Sequence, residues 1–357
     1  MKSNFEQIVF DKLNESENLY SPLVIESIIK EPDLSTNRNN FRPDGLLKVS
    51  YSGVTLQLMI EIKSRTAPKY VLNAISVLEQ LSKLSELNNY IPTILVPYLS
   101  ENIINILESK NMCGLDLNGN YYIKNKNIIA IRLDKKNEYK EKATIRNVYS
   151  KNSSVVGRFL LNQNKAYSKV SEIYEGIKKL NGEITLSTVS KVLNSLEEDL
   201  VLSKEKKSMQ LLQPGKLLES LQKNYSPPSP LKILRLKLPE FRNEKEKVLN
   251  EYFSNNWIFA GESCADVYSS TPPISMFTVF LKQTDIPKMF IEKYADIRFY
   301  NTTLLLLSAS DNYVFFARNN NYASKLQTYL ELTQLDKREK EIAMDIKKEI
   351  LDEFKEQ

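Results

Sequence analysis

The chain reads as three domains: a mixed α/β domain over residues 1–145, a helical domain closed by a basic strand pair over 150–225, and an α+β domain over 231–357. Three observations predict this. Residues 42–65 hold two alternating apolar/polar runs joined by Ser52-Gly53, the pattern of a hairpin. Strand-length apolar runs then alternate with amphipathic stretches at helical spacing, in β-α-β order. The proline-rich stretch 226–230 is a stiff extended break between the second and third domains.

In the hairpin, Leu56, Leu58, Ile60 and Ile62 share one face of a half-buried strand, and Thr55, Gln57, Glu61 and Lys63 share the other. With Ser52 and Gly53 as the loop, Tyr51 pairs with Val54, Val49 with Leu56 and Leu47 with Leu58. Asp44 then lands opposite Glu61. Directly opposed carboxylates have Cβ atoms only about 4.5–5.5 Å apart and repel unless a cation lies between them. Oxygen ligands suit Mg²⁺ or Mn²⁺. Lys63 lies on the same face, where its ammonium can orient a water or stabilise charge developing on a phosphate under attack. The alternative is a solvated strand face, with Asp44 supporting a turn after Pro43.

The Pro-Asp at 43–44, sixteen intervening residues and the Glu-Ile-Lys at 61–63 resemble the PD-(D/E)XK nuclease superfamily, which includes restriction endonucleases and Holliday-junction resolvases. The resemblance implies a restriction-endonuclease-like fold in which Asp44, Glu61 and the Ile62 carbonyl hold the divalent ion and Lys63 assists the hydrolytic water. It also implies an acidic residue on a preceding helix, and Glu6 and Glu26 both remain candidates. The family has a helix after the lysine strand; residues 70–87 carry Val71, Ile75, Leu78 and Leu81 at helical spacing. Gln80 stands where some relatives carry a glutamine, but reads more simply as an ordinary helix residue. A strand is expected over 91–98 and a helix over 100–110. Strand, Asn-Gly turn and strand follow over 113–123, with Asp116 supporting the turn.

Composition narrows the chemistry. The 357 residues include no histidine, which excludes histidine-metal nucleases, Ser-His-Asp hydrolases and the usual zinc hydrolase sites. Catalysis is left to carboxylates, lysines and hydroxyls. Two distant cysteines, Cys113 and Cys264, exclude a disulfide framework and a cysteine-rich zinc site. No run is apolar enough to span a bilayer and Met1-Lys2-Ser3 opens no signal peptide, so a soluble, cytoplasmic protein with no membrane partner is expected. A net charge of +5 and an isoelectric point near 8.8 suit a nucleic-acid partner. Basic residues gather at Lys124, Lys126, Lys135, Lys136, Lys140, Lys142 and Arg146, a stretch that reads first as a solvated linker.

Three helices are expected over 155–162, 171–180 and 185–201, the last opened by hydroxyl residues fit to cap it. Val189, Leu193 and Leu196 form its apolar face. Thr188, Lys191, Asn194 and Ser195 present short polar and basic groups suited to phosphates and base edges. A two-stranded ribbon follows, with Lys204, Lys206 and Lys207 at its tip. This order resembles a winged helix-turn-helix DNA-binding module; the same fold used for protein contacts is the alternative.

In the third domain, strands are expected at 257–260, 277–281, 303–307 and 313–317, and a charged helix at 336–355. Gly261-Glu-Ser263 is similar to the opening of nucleotidyltransferase folds, but the next strand lacks their acidic pair, so a non-catalytic binding or assembly role is expected. Taken as a whole, with a winged helix joined to this third domain, the chain resembles AbiEi-type regulators of bacterial abortive-infection toxin–antitoxin systems, through residues 113–123, 261–268 and 313–332. That resemblance implies a DNA-binding repressor or antitoxin in phage defence, with a cognate toxin or defence-system protein as partner. Two readings therefore stand: a Mg²⁺- or Mn²⁺-dependent DNA endonuclease, or a non-catalytic regulator. A homodimer is expected of a nuclease with one site per chain that cuts both strands.

Overall fold

The computed structural model describes residues 4–15, 18–33, 42–126, 128–139, 147–205, 208–271 and 275–355. The chain divides into two compact units, Met1–Ala143 and Thr144–Gln357. Lys140, Lys142 and Arg146 of the basic stretch lie outside the described residues, as do Lys206 and Lys207 of the ribbon.

In the first unit, α1 (Asn4–Glu15) leads into β1 (Val24–Lys30), β2 (Gly45–Tyr51) and β3 (Val54–Ile62). Next come α2 (Pro68–Leu81), β4 (Ile91–Val96), α3 (Glu101–Ser109), β5 (Cys113–Asp116), β6 (Tyr121–Lys124) and β7 (Ile129–Arg132). The seven strands form one mixed sheet in chain order. Strands β1 to β3 are antiparallel, β3 to β5 parallel, and β5 to β7 antiparallel again.

The hairpin forms in the expected register, Tyr51 opposite Val54, Val49 opposite Leu56 and Leu47 opposite Leu58. Ser52 (φ 49°) and Gly53 (φ 80°) both adopt positive φ, the tight turn whose twist matches the flanking strands. Leu56, Leu58, Ile60 and Ile62 join one core with Val9, Phe10 and Leu13 of α1. Met59 faces a second core with Val71, Ile75 and Leu78 of α2. The strand is therefore half-buried only at its start; from Leu58 to Ile62 both faces are covered.

Two expectations need correction here. Helix α2 ends at Leu81 rather than continuing to residue 87. Glu26 is not on a helix but on β1, at the bulge where the register shifts between Ile25 and Ser27. Its exposed carboxylate pairs with Lys48 at 2.8 Å.

In the second unit, a 3-10 turn (Lys151–Ser153) runs into α4 (Ser154–Asn162), followed by α5 (Val170–Lys179) and α6 (Leu186–Glu198). Strands β8 (Leu202–Glu205) and β9 (Ser208–Leu211) form the antiparallel ribbon, and α7 (Pro214–Lys223) closes this part. Thr185 caps α6 by accepting from the Thr188 N–H at 3.2 Å. Val189, Leu193 and Leu196 are buried as the spacing predicts, and Val192 joins them.

The remainder holds β10 (Lys232–Leu236), α8 (Arg242–Phe253), β11 (Trp257–Ala260), α9 (Ala265–Tyr268), β12 (Phe277–Leu281), α10 (Lys288–Tyr294) and β13 (Thr302–Leu306). Helices α11 (Lys325–Leu332) and α12 (Lys337–Asp352) end it. The sheet order is β10-β13-β12-β11, with β12 and β13 parallel. The apolar run 313–317 does not form the expected strand: residues Ala309–Phe315 make a 3-10 helix whose Tyr313, Val314 and Phe315 are buried.

The stretches 150–225 and 231–357 share one hydrophobic core, from Val155 and Leu193 through Leu221 to Trp257, Leu330 and Ile346. The proline-rich break thus interrupts secondary structure without dividing the core. Among the described residues no helix is long and apolar enough to cross a membrane.

Candidate functional site

Asp44 lies one residue before β2 and Glu61 one residue before the end of β3. Gly45 is paired with Ile60, so the ladder brings the two carboxyl groups to the same end of the hairpin. Asp44 is half-buried, and its Oδ2 accepts from the Ile62 N–H at 2.6 Å. Glu61 is buried, and Lys63 Nζ donates to its Oε1 at 2.6 Å. Oδ1 of Asp44 and Oε2 of Glu61 have no hydrogen-bond partner among the described residues.

Both acids sit above the usual carboxylate range. Burial is the main cause for Asp44, with the negative charges of Glu6 and Glu31 adding to it; the Ile62 N–H and Lys63 oppose. Burial is again the main cause for Glu61, followed by the charge of Asp44, while Lys63 opposes and Glu6 adds. Two acids desolvated together, with the Lys63 ammonium bonded to Glu61 alone among the described residues, repel each other when both ionise.

Glu6 and Glu26 differ in their surroundings. Glu6, on α1, is near enough to act on both acids, whereas Glu26 pairs with Lys48. Among the described residues no group of three or more acidic or cysteine side chains is placed to hold a metal. The donor set that remains, two carboxylates and the Ile62 carbonyl, suits an ion that keeps several of its waters, as Mg²⁺ does. Gln80 is exposed on α2 and is an ordinary helix residue.

Asp116 is fully buried and is a larger hub than turn support alone requires. Its carboxylate accepts from the Leu99 N–H at 3.0 Å, the Asn118 N–H at 2.8 Å, the Asn120 N–H at 2.9 Å and Asn120 Nδ2 at 2.7 Å. Its carbonyl accepts from the Tyr20 hydroxyl at 2.8 Å. With this many donors satisfied, it fixes the loops after β4 and β5 rather than reacting.

In the second unit, Lys191 and Asn194 are exposed on α6, and Lys204 Nζ donates to Asn194 Oδ1 at 2.6 Å. Ser195 is half-buried on the same helix, and Thr188 Oγ1 lies 2.9 Å from the capping Thr185 hydroxyl. The structure therefore joins Asn194 and Lys204 on neighbouring elements, leaves Lys191 exposed on α6, and engages Thr188 in the cap.

A second polar cluster escaped the sequence reading. Arg158, 3% exposed in the middle of α4, donates to Ser154 Oγ at 3.0 Å and to Gln327 Oε1 at 2.5 Å. Gln327 Nε2 donates to Glu331 Oε1 at 2.5 Å, and the Gly261 N–H donates to Glu331 Oε2 at 2.5 Å. Burial pushes the Glu331 carboxyl up to about 7 against the lowering effect of these donors and Arg158. The signal was present in the sequence: one arginine interrupts the apolar run Val155, Val156, Phe159, Leu160, Leu161.

Neither the protein-family models nor the curated proteins compared with the chain match it.

Proposed function

We propose that the first unit is a restriction-endonuclease-like, Mg²⁺- or Mn²⁺-dependent nuclease acting on DNA phosphodiester bonds, and that α4 to α6 with the β8–β9 ribbon bind DNA as a winged helix. The observation that carries this reading is the pair Asp44 and Glu61. Two carboxyl groups raised by burial meet at the end of adjoining strands, with Lys63 hydrogen-bonded to one of them. A purely structural pair would be better served by one acid and one base, because unrelieved like charge costs stability.

Asp44, Glu61 and the Ile62 carbonyl would hold the ion. When bound, a divalent ion polarises a phosphate oxygen and lowers the pKa of a coordinated water. The Ile62 N–H fixes Asp44 so that Oδ1 is left to face a ligand. Lys63 holds Glu61 in place and brings an ammonium beside the reacting phosphate, where it orients the attacking water and offsets charge gathering on the phosphoryl oxygens. Lys191, Asn194 and Lys204 supply phosphate contacts and some base readout, so binding weakens steeply as salt rises.

A second reading, a non-catalytic DNA-binding regulator or antitoxin with a cognate toxin or defence-system protein as partner, is favoured by one observation: no third acidic ligand joins the pair among the described residues. Cleavage of supercoiled, linear and branched DNA with Mg²⁺ or Mn²⁺ separates the two. Cutting that is lost with EDTA and in Lys63→Ala supports the nuclease. Intact DNA in every lane, with equal gel shifts from both proteins, supports the regulator.

A further inference from the structure

We infer that the second unit carries a binding site for a small phosphate monoester of mononucleotide size, in the cavity where the start of α4 meets the end of α7, with Arg158 as its anion anchor. This site is independent of the nuclease reading.

The cavity encloses about 340 Å³, within the range of small-ligand pockets. Three of its lining side chains are basic, Lys151, Lys223 and Arg158, and none is acidic. The two lysines are exposed at its rim, whereas Arg158 is buried at its inner wall. A buried guanidinium ordinarily meets a carboxylate, since a charge taken out of water without a partner is strongly destabilising. Among the described residues Arg158 makes no ion pair. Its neighbours are neutral: Ser154, Gln327 and the Tyr313 ring, whose centroid is 5.3 Å from the guanidinium carbon.

Glu331 is one residue removed, reached only through Gln327, and both its oxygens are taken by other donors. Nη2 of Arg158 has no hydrogen-bond partner among the described residues. Burial pulls the guanidinium below its ordinary pKa, a cost that an anion in the cavity would relieve.

The rest of the wall suits a phosphate ester better than a bare halide. Ser150 and Ser154 lie at the start of the helix with their hydroxyl hydrogens given to the Asn147 and Lys151 carbonyls, so what this part of the wall adds is the positive potential of the helix dipole. Tyr149, Tyr225 and Tyr313 line the cavity as well, giving aromatic surface to an attached ring. One wall is held by the hydrogen bond from Asn147 Nδ2 to Asn224 Oδ1 at 2.7 Å. Among the described polar groups only Arg158 brings a desolvated charge, so it supplies most of the affinity and the rim lysines supply steering.

The test is calorimetric titration of the full chain with adenosine 5′-monophosphate, inorganic phosphate and adenosine. Saturable one-to-one binding of the nucleotide is expected, with phosphate competing weakly and adenosine inert. The double variant Lys151→Gln/Lys223→Gln, altered only at exposed positions, should weaken nucleotide binding roughly three- to tenfold. Arg158→Gln, checked for folding by Trp257 fluorescence, should weaken it about tenfold or more. If Arg158→Gln does not fold, the double lysine variant decides.

Three results overturn the inference: no saturable binding up to about 5 mM, titrations of the double variant that superimpose on the wild type, or adenosine binding as well as its monophosphate. A short DNA strand should compete no better with a 5′-phosphate than without one. Competition that depends on that phosphate would overturn the free-nucleotide assignment in favour of a strand end.

Discussion

Replacing Glu331 with glutamine should remove a pH dependence of stability that the wild type carries. The Glu331 carboxyl is raised by burial to about 7 in the fold, while in the unfolded chain it titrates near the ordinary glutamate value of 4.5. The folded state therefore holds the proton more tightly. The contribution is fully present below the unfolded pKa and is lost as the pH rises through 7. A separation of about 2.5 units at about 1.36 kcal/mol per unit makes the loss about 3 kcal/mol between pH 4.5 and 8. For a unit of this size that corresponds to roughly 6–12 °C in Tm.

The chain has a single tryptophan, Trp257, fully buried in the core of the second unit, so its fluorescence reports that unit's unfolding. Urea melts of wild type and Glu331→Gln at intervals from pH 4.5 to 8 measure the slope directly. The variant loses an acceptor for either Gly261 or Gln327 and so starts lower in acid, by about 1–3 kcal/mol. Its stability should then fall less with pH, narrowing or reversing the gap at pH 8. Parallel curves for the two proteins would refute the assignment of a raised carboxyl to Glu331.

Three more outcomes are expected. Lys63→Met breaks a 2.6 Å charge-assisted hydrogen bond to a buried acid and should destabilise the first unit by about 1–3 kcal/mol at neutral pH. The loss fades as acid protonates Glu61, and thermal melts at two pH values show it. Asp116→Ala strips the acceptor from three backbone N–H groups and the Asn120 amide, and should cost more than about 4 kcal/mol, seen as loss of the cooperative melt of the first unit. The triple variant Lys204→Ala/Lys206→Ala/Lys207→Ala should flatten the salt dependence of DNA binding by up to about three phosphate contacts; an unchanged slope in filter binding would remove the ribbon from the interface.

The parts of the fold that sequence revealed are those set by near neighbours. The hairpin around Ser52-Gly53 follows from strict alternation and one turn, and its register alone brings Asp44 to Glu61. Helix α6 follows from a hydroxyl cap and a 3.6-residue apolar stripe. Longer-range facts were not legible. Val24 to Ile29 has the composition of a strand or a helix turn, and only pairing with β2 decides it, which is why Glu26 competed with Glu6. Tyr313 to Ala317 looks like a strand because it is apolar, yet packing on all sides, not alternation, accounts for that composition. Whether 150–225 stands alone depended on how much apolar surface it shares with 231–357, a quantity that a proline-rich break does not reveal. The Arg158 cluster joins residues 169 positions apart and needed the fold to be seen.

Asp116 stiffens the same rim of the sheet on which Lys63 stands. Strands β3, β4 and β5 run parallel, so Lys63, Pro97 and Asp116 all stand at one rim of the sheet. Asn118 Nδ2 donates to the Pro97 carbonyl, and Asp116 holds Leu99, so the loops along that rim are cross-tied by side chains before any ligand arrives. A molecule meeting that rim would find a hard edge, and the ordering entropy of the encounter would fall chiefly on the visitor. Such a rim favours molecules already bent or stiffened into the matching shape, and penalises those that must be straightened on contact.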